Sequence, residues 1–390
     1  MHTETSHTGH YVALAWLAML VCLAVFRDAL ANGTPLACTV EGSICFPGLS
    51  RPGDRAYQPG TDEPRAPVDW KACATCKACL YAPIPWSPGE WRADTGSARL
   101  PPLAAHPGLK RPFYHLLGTD AQGRDVAAST VAGARTAVVT GSIAAGLSLL
   151  LGIALGAIAG FWGDHRLTLT LGSALAALLL GLLSWYILAH NGIYIFFALP
   201  LLMLPWVSRL FQRVPALRKR VAIPADMLIM RMAEILDAIP RMVLIIAVLA
   251  IIQVQSTWIM VGLIGLLGWT GVAPMLRAEL LRIRALPYIE AAQGAGLSHW
   301  RLLWVHALPN AIQVVLVTAS MSMSAAILLE ASLMFLGYGG LQGSAHSWGG
   351  MLSAARQYPS DWWVALFPGA MIACTVMSLY KLRNFNKPRK

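Results

Sequence analysis

His115, Asp120, Arg124 and Asp125 fall within one stretch, His115-Leu116-Leu117-Gly118-Thr119-Asp120-Ala121-Gln122-Gly123-Arg124-Asp125-Val126. An imidazole, two carboxylates and a guanidinium are ingredients of acid–base chemistry. No nucleophile and no metal-ligand spacing stands beside them. The stretch therefore reads as a turn-rich loop. Gly118 and Gly123 are its flexible points, Thr119 lies between them, and Asp120 or Asp125 pairs with Arg124.

Glu330 is a second candidate, set in the apolar run Leu329-Glu330-Ala331-Ser332-Leu333-Met334-Phe335-Leu336-Gly337. An ionisable group inside an apolar span costs on the order of 2.5–3.5 kcal/mol unless paired or hydrated. Glu330 must face the bundle or a pathway. It either contacts a solute or gate, or serves as a structural partner for a backbone or hydroxyl group near the span end.

A third segment starts Glu290-Ala291-Ala292-Gln293-Gly294-Ala295-Gly296 and ends His306-Ala307-Leu308-Pro309-Asn310. Its pattern predicts helix, turn, helix. Ala291, Ala292 and Ala295 permit close packing, Gly296 suits a left-handed helix end, and Ser298 is a good N-cap. Pro309 punctuates the return to apolar sequence. The segment is too polar to span a bilayer. It reads as a small rigid knob, suited to docking. The chain has no Gly-x-x-x-x-Gly-Lys-Ser/Thr phosphate loop, so it is not expected to hydrolyse ATP itself.

These segments sit in a chain of 390 residues that is 56% hydrophobic and 13% charged. Soluble domains carry about 25% charged residues. The apolar residues cluster near 11–27, 136–162, 167–189, 192–211, 242–256, 258–276, 311–336 and 362–380. Blocks of this kind, roughly 20 residues long, cross a bilayer as helices. The expectation is an all-α polytopic membrane protein with about eight transmembrane helices. The block 242–256 is short and needs the amphipathic stretch 225–241 to complete its crossing.

The net charge of +11 is not a nucleic-acid signature, because no basic stripe is interleaved with aromatics. The basic residues cluster instead in short segments beside the spans. Arg209, Arg213, Arg218, Lys219 and Arg220 form one such cluster, and Arg277, Arg282, Arg284 and Arg301 another. Lys381, Arg383, Lys387, Arg389 and Lys390 close the chain. The positive-inside bias places these segments and the C-terminus in the cytoplasm. An N-terminal transmembrane helix over 1–27 is expected, uncleaved, since a signal peptide would begin with a basic region.

Residues 28–130 form an extracytoplasmic segment rich in Pro and Cys, polar as far as residue 115. Cys38, Cys45, Cys73, Cys76 and Cys79 lie there. Disulfides are the default in an oxidising compartment, and the odd number leaves one thiol over or paired between chains. Cys73-x-x-Cys76-x-x-Cys79 lacks a fourth ligand at fixed spacing, so no metal is assigned. Gly152, Gly156 and Gly160 are spaced by four and predict a close-packed helix seam.

The segment 290–310 resembles the Glu-Ala-Ala loop of ATP-binding-cassette importer permeases, with Glu290, Ala291, Ala292, Gly296, His306, Leu308 and Pro309 at matching offsets. It departs at His299, where an Asp is common, and at Val305, where a basic residue is common. The stretch His115–Val126, including Gly118, Thr119, Asp120, Gly123, Arg124 and Asp125, is similar to the signature of the C-type subunit of dipeptide and oligopeptide permeases. Ile84-Pro85-Trp86-Ser87-Pro88 and Ser347-Trp348-Gly349-Gly350-Met351-Leu352 look like the same subfamily. Between Gly160–Asp164 and Met230–Pro240 the chain inserts about 55 residues, including two extra apolar blocks.

The resemblance implies a permease domain over 131–390: a six-helix type I importer-like core, an inserted helical pair at about 167–222, and a cytoplasmic coupling loop at 277–310. It implies a bacterial inner-membrane location and peptides or similar small solutes as cargo. It also implies a second homologous permease, two ATPase subunits or domains that use ATP and Mg, and an extracytoplasmic solute-binding protein. No cofactor is expected on this chain. The alternatives are a proton-coupled secondary transporter using Glu330 and a membrane-anchored redox or metal-binding protein using the cysteines.

Overall fold

A computed structural model describes residues 4–40, 43–47, 70–71, 76–90, 96–109, 112–163, 168–170, 172–173, 175–177, 179–183, 203, 206–207, 214, 220–222, 224–253, 256–339 and 346–382. The chain divides into two compact units. One comprises Met1–Gly152, Ile239–Val272 and Gln313–Lys390, the other Ile153–Ala238 and Ala273–Ile312.

The described chain is mostly helical. The principal helices are α1 (Glu4–Val25), α2 (Val126–Ala157), α3 (Ala225–Ala238), α4 (Arg241–Ile252) and α5 (Thr257–Arg284). They continue with α6 (Pro287–Gly294), α7 (Ile312–Phe335), α8 (Trp348–Ala355) and α9 (Trp362–Leu382). Among the described residues four helices are long and apolar enough to cross a membrane: α2 with its π-helical extension to Trp162, α5, α7 and α9. The pair α3 and α4 makes five if counted as one span. The apolar part of α1, Gly9–Val25, is shorter.

Of the expected eight spans, four or five are seen among the described residues. Most of the blocks 167–189 and 192–211 lies outside the described residues. The expected crossing over 225–256 is seen as two helices, α3 and α4, which pass as one span only when taken together and are separated at Ile239 and Pro240. Proline has no N–H to donate and pushes the residue before it out of the helical region.

In the first unit, one core gathers Leu20 of α1, Val126, Ala134 and Ala137 of α2, Ile327 of α7, Trp348 and Met351 of α8, and Trp363, Val364 and Leu379 of α9. Trp16 Nε1 donates to Thr375 Oγ1 at 3.2 Å, pinning α1 to α9. Gly133 leaves the notch into which the Trp348 ring sits, and Trp348 Nε1 donates to Thr130 O at 3.0 Å. A second core joins Ala144 of α2 to Ile245 and Leu249 of α4, Met260, Val261 and Ile264 of α5, and Leu333 and Met334 of α7. Ser148 Oγ, bonded to Gly265 O at 3.0 Å, ties α2 to α5.

The expected glycine seam is present. A Cβ on Gly152 would overlap the Val272 side chain in the first unit. In the second unit a Cβ on Gly156 would lie 2.8 Å from Ala273 O, and one on Gly160 would lie 2.9 Å from Arg277 O. A bidentate ion pair joins Arg277 to Asp226 of α3.

The loop region holds β1 (Ala37–Val40), β2 (Ser43–Cys45) and β3 (Cys76–Leu80) in the order β2-β1-β3, and a two-stranded pair, β4 (Ala104–Ala105) with β5 (Tyr114–His115). β6 (Thr168–Thr170) and β7 (Arg220–Ala222) pair antiparallel, Thr168 opposite Ala222 and Thr170 opposite Arg220. The ladder brings the two ends of the stretch 171–219 together.

Candidate functional site

Two local structures carry the residues singled out by sequence. The first is the signature loop before α2. Gly118 and Gly123 both have positive φ, 80° and 76°, a region that favours glycine. A Cβ on Gly118 would lie 2.5 Å from Leu100 O. Thr119 is fully buried: its hydroxyl donates to Ser97 O at 2.8 Å and accepts from Leu100 N at 2.8 Å. Trp363 Nε1 donates to Thr119 O at 3.1 Å, locking the loop to α9. Asp120 Oδ1 accepts from Gln122 N and Arg124 N, each at 2.9 Å, and Oδ2 accepts from Arg124 Nε at 2.7 Å.

The open choice of partner for Arg124 falls to Asp120. Asp125 does something else. Its Oδ1 accepts from Ala128 N at 2.7 Å, capping α2, and its Oδ2 lies 2.8 Å from His115 Nδ1. His115 Nε2 lies 3.1 Å from His106 Nδ1, and its ring stacks on Trp86 at 4.2 Å. This buried Asp–His–His chain is fastened by Trp86 and holds the loop to the start of a span. Sequence reasoning missed His106, Ser97 and Trp363, since all three lie outside the signature and meet it only through the fold.

Arg99, at φ 59°, carries the same junction to the α9 N-terminus. Its Nε donates to Asp361 Oδ2 at 2.8 Å and its Nη2 to Ser360 Oγ at 2.7 Å. The Arg99 hydrogen bond holds the Asp361 carboxyl below its usual range; burial opposes this and Ser360 assists. A depressed folded-state value means stability that is complete above the unfolded value, about 3.9, and lost as pH falls through the folded one. Arg99→Ala is therefore expected to flatten the acid-side fall of melting temperature below about pH 4. Thermal unfolding of the detergent-purified variant at stepped pH checks this; an unchanged acid limb would contradict it.

The second structure is the 285–310 segment. Pro287 occupies the first turn of α6 and Glu290 lies in that turn, where a helix N-terminus favours negative charge. Ile289 is fully buried and anchors α6, while Glu290 and Ala291 are exposed. Ala292 O accepts from Leu297 N at 3.3 Å, closing the turn over Gly296, whose φ is 81°. Ser298 caps the short helix His299–Arg301 by accepting from Arg301 N at 3.3 Å. The predicted helix–turn–helix is observed.

A π-helical turn, Leu302–Ala307, follows and buries Leu302, Leu303 and Ala307. His306 O accepts from Asn310 Nδ2 at 2.7 Å, and the same amide donates to Tyr288 Oη at 2.9 Å. That bond joins the two ends of the knob. Leu308 and Pro309 form a last short turn with Asn310 before α7. His299 and Trp300 pack edge-on against Phe161 and Trp162 at 6.3 and 4.8 Å. The π-turn had no sequence signal.

Glu330 is 3% exposed, and its Oε1 makes no hydrogen bond among the described residues. Cys38 stands opposite Cys45 on one neighbouring strand and opposite Cys79 on the other. The Cys45 and Cys76 side chains, and all of Cys73, lie outside the described residues. Among the described residues no cluster of His, Cys, Asp and Glu could hold a metal ion.

Long apolar helices, a glycine seam and a compact knob between two of the spans define a polytopic membrane protein. The family of binding-protein-dependent transport system inner membrane components matches residues 220–389. A peptide permease protein of Brucella suis biovar 1 is 30% identical over 273 residues, covering 68% of this chain and 69% of that protein. The oligopeptide transport system permease protein of Haemophilus influenzae is 27% identical over 67% of this chain and 65% of its own. The di/tripeptide transport system permease protein of Pseudomonas aeruginosa is 28% identical over 77% of this chain and 78% of its own. This chain belongs to that family and is a permease subunit of the ATP-binding-cassette importer class.

Proposed function

We propose that the chain is the C-type permease of an importer that carries peptides or similar small solutes across a bacterial inner membrane. Its 277–310 loop is the docking element for the ATPases. The observation that carries this is the shape of the knob: Ile289 is anchored, while Glu290 and Ala291 beside it stand free at the surface. The basic residues Arg282, Arg284 and Arg301 support a cytoplasmic position.

The two ATPase domains would close on ATP and Mg, and α6 would carry that motion into α5 and α7. The working unit would hold a second permease, two ATPase domains and a solute-binding protein. The Asp–His–His chain and Arg124–Asp120 pair would brace the outer entrance of α2 rather than perform catalysis.

Proteoliposomes containing the chain with its co-purifying partners test the reading. Uptake of radiolabelled trialanine is expected to require ATP inside and to survive a protonophore. Uptake that ignores ATP and follows a proton gradient would overturn it and favour a role for Glu330 as relay.

A further inference from the structure

A cleft of about 360 Å³ opens in the first unit, lined by Arg27, Arg135, Thr136, Thr140, Trp258 and His346, among others. That volume lies within the range of small-molecule sites, about 300–1,000 Å³. The docking loop and the signature loop contribute nothing to it.

Its charge is unbalanced. Two guanidiniums face one carboxylate, and neither is held closely. Arg27 Nε stands 3.5 Å from Asp28 Oδ1 and Arg135 Nη1 stands 3.3 Å from Asp28 Oδ2. Good charge-assisted bonds are nearer 2.7–2.9 Å. Arg27 Nε is buried and makes no hydrogen bond among the described residues. A buried guanidinium donor left without an acceptor costs free energy that an incoming oxyanion would recover.

The threonines add the opposite polarity. Thr136 Oγ1 donates to His346 O at 2.7 Å, Thr140 Oγ1 to Thr136 O at 2.7 Å, and Thr257 Oγ1 to Gly339 O at 3.2 Å. With their protons committed to carbonyls, these hydroxyls offer lone pairs to a ligand's N–H groups. Trp258 supplies an apolar wall. Arginine forks with hydroxyl acceptors and an indole suit a small solute that bears a carboxylate at one end and N–H donors along its length.

We propose that this cleft receives the carboxylate end of the transported solute, Arg27 and Arg135 gripping the carboxylate between them. The proposal rests on the importer reading for its placement on the outer side. A phospholipid phosphate shares the oxyanion chemistry, and the test separates the two.

The test uses the full transporter in nanodiscs, with saturation-transfer NMR of trialanine and of its C-terminal amide. Trialanine is expected to bind at least roughly tenfold more tightly than the amide, the size of one lost charge-assisted bond. Arg27→Gln and Arg135→Gln should each remove most of that preference, with melting temperatures near that of the parent. Arg135 is half exposed, so its variant keeps the test valid should Arg27→Gln fold poorly.

Equal binding of acid and amide would overturn the proposal. So would variants that shed bound phosphatidylglycerol yet keep the acid preference. ATP-driven uptake without acid preference sinks the cleft alone, whereas acid preference without ATP-driven uptake sinks the importer reading alone.

Discussion

Gly156→Leu is expected to abolish accumulation of folded protein in the membrane. A Cβ at that position would lie 2.8 Å from Ala273 O, 3.1 Å from Ala273 Cα and 3.3 Å from Leu276 Cβ. The nearest obstacles are backbone, which cannot rotate away. Gly160→Leu meets the same difficulty at Arg277 O and Cα, 2.9 and 3.0 Å away. Separating α2 from α5 would strip the seam of van der Waals contact, which drives helix association in lipid. It would also pull on Arg277, whose guanidinium is held by Asp226.

The loss exceeds the 1–3 kcal/mol typical of overpacking, because both helices must shift along their length. Gly146→Leu on the same helix is the control, since nothing lies within 4 Å of its Cβ. Membrane-fraction immunoblots and size-exclusion profiles in detergent read the result. A monodisperse Gly156→Leu protein at wild-type level would refute the seam.

That seam was legible because its cause is local: three small residues on one helix face leave no other use for the spacing. The knob was legible for the same reason. Pro287, Gly296 and Ser298 each act on their own backbone, through a fixed φ, a positive φ and a cap.

The signature loop was half legible. Gly118 and Gly123 announced turns, and Arg124 had two acidic candidates within reach. The choice between them depended on His115 taking Asp125, which in turn depended on Trp86 and His106 arriving from elsewhere in the chain. Trp348 in its Gly133 notch and Trp363 on Thr119 are likewise products of helix docking. The break at Ile239–Pro240 was visible as a proline, yet the apolar count either side did not register it. Hydropathy counts residues; it does not register a missing N–H.

Gly296→Leu and Glu290→Lys are expected to reduce ATP-dependent uptake by at least roughly tenfold while leaving the protein in the membrane, the loss associated with removing one interface hot spot. Neither change finds a steric obstacle. Nothing lies within 4 Å of a Cβ on Gly296, and Glu290 is exposed. The leucine must hold a φ of 81°, at a cost of about 1–2 kcal/mol. That sum is paid inside the turn closed by Leu297 N and Ala292 O, and it loosens the angle between α6 and the Ser298-capped helix rather than the buried Ile289 anchor.

The lysine reverses a charge in the first turn of α6, worth about 0.3–1 kcal/mol against the helix dipole. Both penalties are small beside the stability of a multi-span bundle, so melting temperature should move little. A partner that reads the knob would respond strongly, because α6 presents Glu290 and Ala291 on the face it would meet. ATPase co-purification and nucleotide-driven uptake, measured alongside melting temperature, separate the two consequences. Uptake within twofold of wild type in both variants, with the fold intact, would mean that the knob is a connector and that the motor engages this chain elsewhere.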